Sequence, residues 1–445
     1  MRVKMKLILF LLMLLMIGAN FMEVDWLRDQ LWATSHVDTT DDTFHREWHP
    51  AKRSERFPSV EERVKLYMSS LYLPPCPNTT RLDYEVIKDN FPVLVVRSAD
   101  SNTTIPGLVD HDRDLLLQRD VMRDCASSKV THEITRFVGL ATKTKRRVHF
   151  RRNMRPYCRD IADIFRIADA NPPAAPLVAL FGDGISTTGL PVIGKWRWAL
   201  SKEAIANITK GTCANVADLQ KDKKSPLPPV LWKLETNRHF EPLGRVPKAD
   251  IPWNEKEAKA VWRGSFTGTG QGHTVGSNLT ERCFSNDRCQ FVYNNAKSRL
   301  VDAAFVHPQQ EIGDTIEGLQ ITGKGMPQRE LLRFKIIVSM EGNDVASGLK
   351  WNLFSKSVVL MPPPTKTTWA MEELLEPWIH YIPMARDGSN AEERVQWVLD
   401  NDKEAQRIAE RSTLFMHDLL YHPDAKKDER EVKQEIVRRY QRHWY

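Results

Sequence analysis

The sequence predicts an α/β protein built from two folded regions. Its 445 residues are more than one ordinary hydrophobic core accommodates, so a second domain is expected. Three apolar runs, 177–181, 334–340 and 357–361, have the length and composition of buried parallel strands. The segment 346–354 between the last two is typical of a helix, so this part of the chain predicts a strand–helix–strand unit.

The chain divides into five predicted segments. Residues 1–22 form a membrane anchor, 23–60 a stem without clear periodicity, and 61–245 the first folded region. The second folded region covers 246–420, and 421–445 form a C-terminal helix.

The first 22 residues have the composition of a signal anchor. Three cations between Met1 and Lys6 precede an apolar run over 7–22. A helix of this length rises roughly 24 Å, a little short of the ~30 Å hydrocarbon core. A cleaved signal peptide has the same pattern, but no clear cleavage site follows. We therefore expect an uncleaved, single-pass type II anchor in the Golgi or the endoplasmic reticulum, with the rest of the chain in the lumen.

Sequons and cysteines also favour a lumenal location. Four Asn-x-Ser/Thr sequons occur, at Asn78, Asn102, Asn207 and Asn278. The six cysteines are an even number without a Cys-x-x-Cys pair, so we expect disulfides rather than a zinc or redox site. Cys283 and Cys289 are close enough in sequence to close a small loop.

The charge of the chain restricts its partners. A formal net charge of +7 indicates acidic partners such as phosphates. The basic residues are scattered along the chain rather than massed, so a nucleic-acid partner is not expected.

Open α/β sheets bind ligands beyond the carboxyl ends of their strands, and three loops of this sequence follow predicted strands. The first is the Gly-rich segment 263–276. Gly264 lets the backbone approach a ligand closely, Ser265 and Thr267 offer hydroxyl groups, and Arg263 can pair with phosphate oxygens. A flexible surface loop with a salt-bridged Arg263 is the alternative, and composition alone favours it slightly.

The second loop is 341–344, directly after the second predicted strand. A helix beginning near Ala346 would offer free amide protons to a diphosphate, and Lys350 would add a positive charge. Glu341 and Asp344 would accept hydrogen bonds from sugar or ribose hydroxyl groups. Alternatively, Asp344 is simply a helix cap.

The third loop contains Asp183 between two glycines, after the run 177–181. A carboxylate there can act as a general base, although Asp beside Gly is more commonly a turn residue. The aromatic segments 196–198 and 378–381 are candidates for a sugar platform, with core packing as the default. No convincing metal-binding motif follows a strand, so cations and helix amides would have to neutralise a departing diphosphate.

The segment 334–384 resembles glycosyltransferase family 90, which includes lipopolysaccharide- and capsule-modifying transferases and the protein O-glucosyl- and xylosyltransferases of the secretory pathway. The resemblance is carried by the phrases EGNDVASGLKW, SVVLMPPP and LLEPWIHYIP. Residues 261–265 match the family's aromatic-Arg-Gly-Ser phrase, and 401–416 match its closing helix. The resemblance covers about 165–420 and is strongest in the second half.

The resemblance implies a GT-B arrangement, in which two Rossmann-like domains face a central cleft that holds a UDP-sugar. It also implies an inverting reaction without a metal ion or a cofactor other than the donor, with Asp183 as the catalytic base. The donor contacts that it implies are Ser265, Phe266, Thr267, Asp344, Val345, Ala346, Ser347 and Gly348.

This chain departs from the family pattern in two places. Family members carry an Arg a few residues after the Arg-Gly-Ser phrase, and Arg282 is the candidate replacement here. The protein glucosyltransferases also have an Arg near Leu349, where this chain offers Lys350.

The sequence therefore predicts transfer of a hexose or pentose from a UDP-sugar to a hydroxyl group of a glycan or of Ser/Thr in a glycoprotein. The alternative is a catalytically inactive lumenal glycan-binding protein on the same fold.

Overall fold

A computed structural model gives the architecture of the chain. It describes residues 53–54, 56–77, 94–96, 132–138, 142–148, 160, 163–164, 167, 177–180, 192–214, 229–234, 243–268, 278–306 and 313–443. Within these ranges no helix is long and apolar enough to cross a membrane. The predicted anchor and Asp183 lie outside the described residues, as do two sequons and Cys125 and Cys158.

Strands and helices alternate through the described part of the chain. The strands are β1 (Leu94–Val96), β2 (His132–Val138), β3 (Thr142–Val148), β4 (Leu177–Leu180), β5 (Ile193–Gly194), β6 (Trp196–Trp198), β7 (Val230–Leu231), β8 (Glu257–Gly264), β9 (Val301–Phe305), β10 (Thr315–Ile316), β11 (Leu319–Gln320), β12 (Phe334–Val338), β13 (Val358–Met361), β14 (Lys366–Thr368) and β15 (Ile382–Pro383). The α-helices are α1 (Val60–Met68), α2 (Lys202–Asn207), α3 (Val246–Ala249), α4 (Leu279–Phe284), α5 (Asp287–Asn295), α6 (Gln328–Leu331), α7 (Leu349–Leu353), α8 (Ala391–Asp400), α9 (Asp402–Leu420) and α10 (Ala425–Gln441).

The second region is built on a parallel sheet of five strands. Their order is β15-β13-β12-β8-β9, and every neighbouring pair is parallel. All four residues of β13 are buried, as expected for a strand covered on both faces. The strands predicted at 334–340 and 357–361 are confirmed as β12 and β13.

The order in which strands are added to this sheet reverses between β8 and β12. From β8 it moves outward to β9 on one side, and it later returns to β12 on the opposite side of β8. The carboxyl ends of β8 and β12 therefore lie side by side at the point where the chain continues in opposite directions across the sheet. In open α/β sheets such a switch point opens the crevice in which ligands bind.

The sheet of the first region is mixed rather than uniformly parallel. Its order is β2-β3-β1-β4-β5-β7. Only β4, β5 and β7 pair in parallel, whereas β1 is antiparallel to both of its neighbours and β2 is antiparallel to β3. Since β2 and β3 are separated by only three residues, they pair as a hairpin instead of through a crossover. The described strands thus match a Rossmann-like pattern only in part.

The C-terminal helix packs against the first region. Val432, Ile436 and Tyr440 of α10 belong to the same buried cluster as Val64 and Tyr67 of α1. The second region contributes β13 and α9 to this cluster as well.

Charged contacts add to this packing of α10. Lys433 Nζ lies 2.9 Å from Glu429 and 2.5 Å from Asp163, and Glu429 also pairs with Lys233. We call these four residues the helix dock.

The folded body begins before the predicted end of the stem at residue 60. Phe57 is buried and its ring lies 5.8 Å from that of Phe415. Arg53 pairs with Asp428 of α10, which also accepts a 2.8 Å hydrogen bond from Arg63. The aromatic ring and the arginine pairs therefore fix this segment on the second half of the chain, although it has no periodicity in sequence.

Disulfides join the four cysteines in the described part of the chain. Cys76 pairs with Cys213 across 137 residues of sequence, and Cys283 pairs with Cys289. The expectation of disulfides is confirmed for these four, including the small loop between α4 and α5.

Candidate active site

The loops that follow β8 and β12 meet at the switch point of the parallel sheet. The backbone N–H of Gly268 donates a 3.1 Å hydrogen bond to Oδ1 of Asn343. Gly268 has a φ of +94°, and a Cβ built on it would lie 3.0 Å from Cα of Gly342. Glycine at 268 therefore permits both the left-handed backbone and the close approach of the two loops.

Arg288 links these two loops through its guanidinium group. Nε donates to the carbonyl of Glu341 at 2.9 Å and Nη2 to that of Met340 at 2.8 Å. Nη1 donates to the carbonyl of Ser265 at 3.0 Å and to Oγ1 of Thr267 at 2.7 Å. The planar fork of donors thus holds both loops at a fixed separation. We call Arg288 and these four acceptors the loop clamp.

The positive charge of Arg288 is not matched by a carboxylate in the loop clamp. Its four acceptors are three carbonyl oxygens and a hydroxyl oxygen. Burial lowers the pKa of Arg288 to about 10, while Asp344 and Glu341 act in the opposite direction. At pH 7 the group remains charged, so the crevice contains a cation whose charge the carboxylates of Asp344 and Glu341 balance in part.

Local structure explains why Arg288 points at the loops. It is the second residue of α5, whose N-cap is Asn286. The Asn286 side chain accepts from the Cys289 N–H at 3.0 Å and donates to the carbonyl of Thr267 at 3.2 Å. The hydrogen bond from Asn286 to Thr267 ties the start of α5 to the loop after β8, and the Cys283–Cys289 disulfide closes the turn that carries Asn286.

Sequence reasoning did not identify Arg288. The only available signal was its position within the small cysteine loop, which does not indicate where a side chain points. Arg282, the predicted replacement for the family arginine, lies on α4. The hydrogen bonds of the loop clamp come from Arg288.

Glu341 organises the edge of the crevice. One carboxylate oxygen accepts from the N–H groups of Thr365 and Lys366, at 2.7 and 3.0 Å, and the other accepts from the Thr365 hydroxyl. Lys366 in turn donates from Nζ to the carbonyl of Gly342 at 2.8 Å. Burial lowers the pKa of Lys366, against the opposing effects of Glu341 and Asp344. Both oxygens of Glu341 are thus used to fix the loop after β13.

Asp344 pairs across the crevice with the first region. Its carboxylate forms a salt bridge with Lys195, which lies between β5 and β6 and is buried. This pair connects the loop after β12 to the sheet of the first region. The alternative of a simple helix cap for Asp344 does not describe this contact.

The guanidinium group of Arg263, which the sequence predicted to bind phosphate, contacts protein groups on the β9 side of the sheet. Nη2 of Arg263 pairs with Asp302 at 2.9 Å, and Nη1 donates to the carbonyl oxygens of Trp262 and Asp302. Nε donates to the carbonyl of Lys324. Its charge is therefore compensated on the β9 side of β8, which is the salt-bridged alternative raised by the sequence.

Lys350 is also committed to an internal partner. Its ammonium lies 2.5 Å from Glu372, and each of the two side chains is 1% exposed. The helix predicted from Ala346 begins at Leu349 and has five residues. The prediction of a helix N-terminus at Ala346 is therefore wrong, because Val345 and Ala346 pack into the apolar interior as irregular chain instead.

The remaining predicted residues lie along the two loops. Phe266 is buried, with its ring 5.9 Å from that of Phe305. Asn343 and Ser347 are exposed and Ser265 and Gly348 are half-buried. A Cβ on Gly264 would lie 2.4 Å from the Trp262 ring, so that glycine is required by packing.

Two sequence predictions, the catalytic base and the absence of a metal ion, stay predictions. Asp183, the predicted base, lies outside the described residues, three positions after the last residue of β4. Within the described ranges no three His, Cys, Asp or Glu side chains are grouped as a metal site.

The segment that forms this crevice is similar to known proteins. Residues 243–425 match the description Glycosyl transferase family 90. The O-glucosyltransferase LpsA of Dichelobacter nodosus is 27% identical over 187 residues, which cover 42% of this chain and 50% of that protein. Human protein O-glucosyltransferase 3 is 31% identical over 34% of this chain and 31% of its own length. Human protein O-glucosyltransferase 1 is 28% identical over 40% of this chain and 41% of its own length.

The similarity covers only part of this chain and of its relatives. The alignments cover half or less of each of these relatives, and the family match lies in the second part of this chain, over residues 243–425. β8, Arg288, β12 and β13 all lie within it.

Proposed function

From the match of residues 243–425 to glycosyltransferase family 90, we propose that this chain transfers a sugar from a UDP-sugar to a hydroxyl acceptor. The proposed reaction inverts the anomeric carbon and uses no metal ion. Its acceptor is a glycan or a Ser/Thr side chain, and it takes place in the lumen of the secretory pathway. The observation that carries the proposal is the switch-point crevice, where two loops of the family segment are held by the loop clamp.

The crevice contains two cations that can face a departing nucleoside diphosphate, beside the carboxylates of Glu341 and Asp344. Arg288 and Lys366 donate to carbonyl oxygens of the loops and place two positive charges at its wall. Preorganised cations stabilise the negative charge that develops on the leaving group, most strongly where water is excluded. In the proposed reaction they take the part that a divalent metal plays in other transferases.

The proposed chemistry needs one base. Asp183 takes the proton of the acceptor hydroxyl as its oxygen attacks the anomeric carbon. The new carbon–oxygen bond forms on the face opposite the diphosphate, and the electron pair of the breaking bond leaves with UDP. Ser265, Thr267 and the exposed Asn343 and Ser347 are the loop side chains available to the donor.

Two observations favour a lumenal site and a GT-B arrangement. The Cys76–Cys213 and Cys283–Cys289 disulfides are typical of an oxidising compartment, and the sequon residues Asn207 and Asn278 are exposed. The Lys195–Asp344 pair brings the first region against the loop after β12, and this contact supports a site that lies between the two regions.

The proposal is tested with Asp183→Asn in the full chain. We expect sugar transfer from UDP-glucose to fall by about a thousandfold, within the range for loss of a general base, while the Kd for UDP changes little. Transfer is followed as UDP release in the presence of EDTA. Asp314→Asn, which changes an exposed aspartate far from the loop clamp in sequence, is the matched control.

Each outcome has a distinct meaning. Transfer that survives in Asp183→Asn removes that residue from the mechanism. Inhibition by EDTA contradicts the metal-independent reaction. A wild-type chain that binds glycans but releases UDP from none of a panel of UDP-sugars is the inactive binding protein.

A further inference from the structure

An exposed tryptophan lies beside the crevice, on the side of the first region. Trp198 ends β6 and is 47% exposed, whereas Trp196 on the same strand is buried. The two rings meet edge to face with centroids 5.7 Å apart. A single exposed indole is ordinary on a protein surface, so exposure alone indicates nothing. Trp198 differs from an ordinary exposed indole in its position beside the crevice and in the rigid backbone that carries it.

The position of Trp198 is set by β14, the partner strand of β6. Lys366 pairs in register with Trp198, and its Nζ lies 5.6 Å from the Trp198 ring centre. The same Nζ donates to the carbonyl of Gly342 at 2.8 Å. One ammonium group therefore separates the indole from the loop after β12.

The backbone that carries Trp198 is rigidly held. Arg197 is fully buried, and its guanidinium contacts both oxygens of Glu373, at 2.6 and 2.8 Å. It also donates to the carbonyl of Trp198 at 2.8 Å. On the following residues, Ala199 N–H donates to Thr365 and Leu200 N–H to Glu373. The ring is thus presented by a backbone fixed on both sides, which lowers the entropy cost of binding a ligand.

On the basis of the proposed function, we infer that Trp198 and Lys366 form an acceptor platform on which a sugar ring of a glycan acceptor stacks. A pyranose has an apolar face of C–H groups and a rim of hydroxyl groups. The indole provides an apolar surface for the face, and a lysine ammonium has three N–H donors, of which one is used by Gly342. We assign the platform to the acceptor because Trp198 lies on β6 of the first region, which also contains the proposed base Asp183. Lys366 separates it from the loops of the family segment, which hold the donor.

A glycan fits this surface better than a folded protein acceptor. Among the described residues the other exposed large hydrophobic side chains are Phe284 and Trp378, and they pack on the rings of Tyr293 and Trp397. Trp198 is thus one ring beside one cation rather than the centre of a broad apolar area. Protein interfaces need such an area, whereas one sugar unit covers a single indole.

The test compares Trp198→Ala, Trp198→Phe and the matched control Phe284→Ala in the full chain. UDP-glucose is the donor, and the acceptor probes are p-nitrophenyl glycosides of glucose, galactose, mannose and xylose. We expect Trp198→Ala to raise the acceptor KM about tenfold, with kcat reduced less than threefold. Trp198→Phe retains an aromatic face and should raise KM about threefold. UDP release to water should change no more in these variants than in Phe284→Ala.

Results that contradict the platform can be distinguished from results that contradict the proposed function. An acceptor KM that is unchanged in Trp198→Ala overturns the platform, as does a parallel loss of UDP release to water, which indicates a structural role. Exclusive use of a Ser/Thr peptide as acceptor also overturns it. If the wild-type chain releases UDP from none of a panel of UDP-sugars, the proposed function fails, and saturation-transfer NMR with methyl glycosides tests the platform directly. Loss of that signal in Trp198→Ala supports the platform, and an equal signal contradicts it.

Discussion

The loop clamp and the helix dock both contain buried cations, but their charges are balanced differently. In the loop clamp, the Arg288 guanidinium donates to three carbonyls and a hydroxyl. In the helix dock, the ammonium groups of Lys233 and Lys433 both contact Glu429. Burial would lower the pKa of Lys433, yet Glu429 and Asp163 raise it above the ordinary value.

This difference separates structure from function in the two regions. A cation paired with carboxylates has its field cancelled locally, so it stabilises packing and offers little to a ligand. A cation whose hydrogen bonds go to neutral oxygens is compensated less closely, and in the loop clamp its field is opposed only in part, by the nearby carboxylates of Asp344 and Glu341. By this criterion Lys350, with Glu372 as its partner, belongs with the helix dock, although its sequence position follows the loop after β12.

Removal of the Lys350 charge is expected to give the largest effect on stability. Lys350→Met leaves the fully buried carboxylate of Glu372 without its cation, so we expect a loss of about 3–5 kcal/mol in the free energy of unfolding. The midpoint of urea unfolding measures it. The double variant Lys350→Met/Glu372→Gln removes both charges and should recover most of the loss.

The same double variant sharpens the comparison. If Lys350 is structural, the Kd for UDP in the double variant stays within about threefold of wild type, measured by calorimetry. A tenfold weaker Kd, about 1.4 kcal/mol, would return Lys350 to the donor site that the sequence predicted.

Replacement of the clamp arginine is expected to impair transfer more than folding. Arg288→Lys keeps the charge but lacks the planar fork that reaches four acceptors on two loops. We expect kcat/KM for UDP-glucose to fall about a hundredfold, equivalent to about 2.7 kcal/mol. Initial rates of UDP release measure it, and near-ultraviolet circular dichroism reports retention of the fold.

Arg282→Lys is the matched control for this substitution. Arg282 lies six residues earlier, on α4, and is the residue to which sequence reasoning assigned the role. We expect Arg282→Lys to reduce kcat/KM less than threefold. Equal losses in the two variants would contradict the assignment of the clamp to Arg288.

The parallel sheet was predictable because its signal is local. The runs at 334–340 and 357–361 are apolar, and a strand buried on both faces needs only such a run. The position of the loops at the carboxyl ends followed from the same pattern. The mixed sheet of the first region was not predictable, because antiparallel and parallel pairing depend on connections and partners rather than on the composition of each strand.

The candidate site was predictable in its loops but not in its charges. Arg263, Arg282, Arg288 and Lys350 are equivalent cations in the sequence. Asp302 and Glu372, which neutralise two of them, lie on other elements, at 39 and 22 residues of separation. No periodicity encodes such pairs. The small disulfide loop that aims Arg288 was visible in sequence as two cysteines, whereas the direction of the side chain depends on tertiary contacts.

The helix dock gives the smallest of the expected stability effects, and one that depends on pH. Although burial alone would raise the pKa of Glu429, Lys233 and Lys433 lower it to about 2. The carboxylate is partly exposed, so we expect Glu429→Gln to cost about 2 kcal/mol, between an exposed pair and a buried one. Glu431→Gln, on the exposed face of the same helix, should cost less than about 0.5 kcal/mol.

The pH dependence follows from the sign of the Glu429 shift. Between the folded pKa of about 2 and the unfolded value of about 4.3, the unfolded chain binds more protons at this site, so its contribution to stability falls as pH decreases. Between pH 5 and pH 2 the free energy of unfolding of the wild-type chain should therefore fall by more than that of Glu429→Gln, with a difference of up to about 2 kcal/mol. Urea unfolding at stepped pH measures the difference, with Glu431→Gln expected to follow wild type. A Glu429→Gln variant with wild-type stability and reduced UDP binding would show that the helix dock serves the ligand, and the distinction between the two groups of cations would fail.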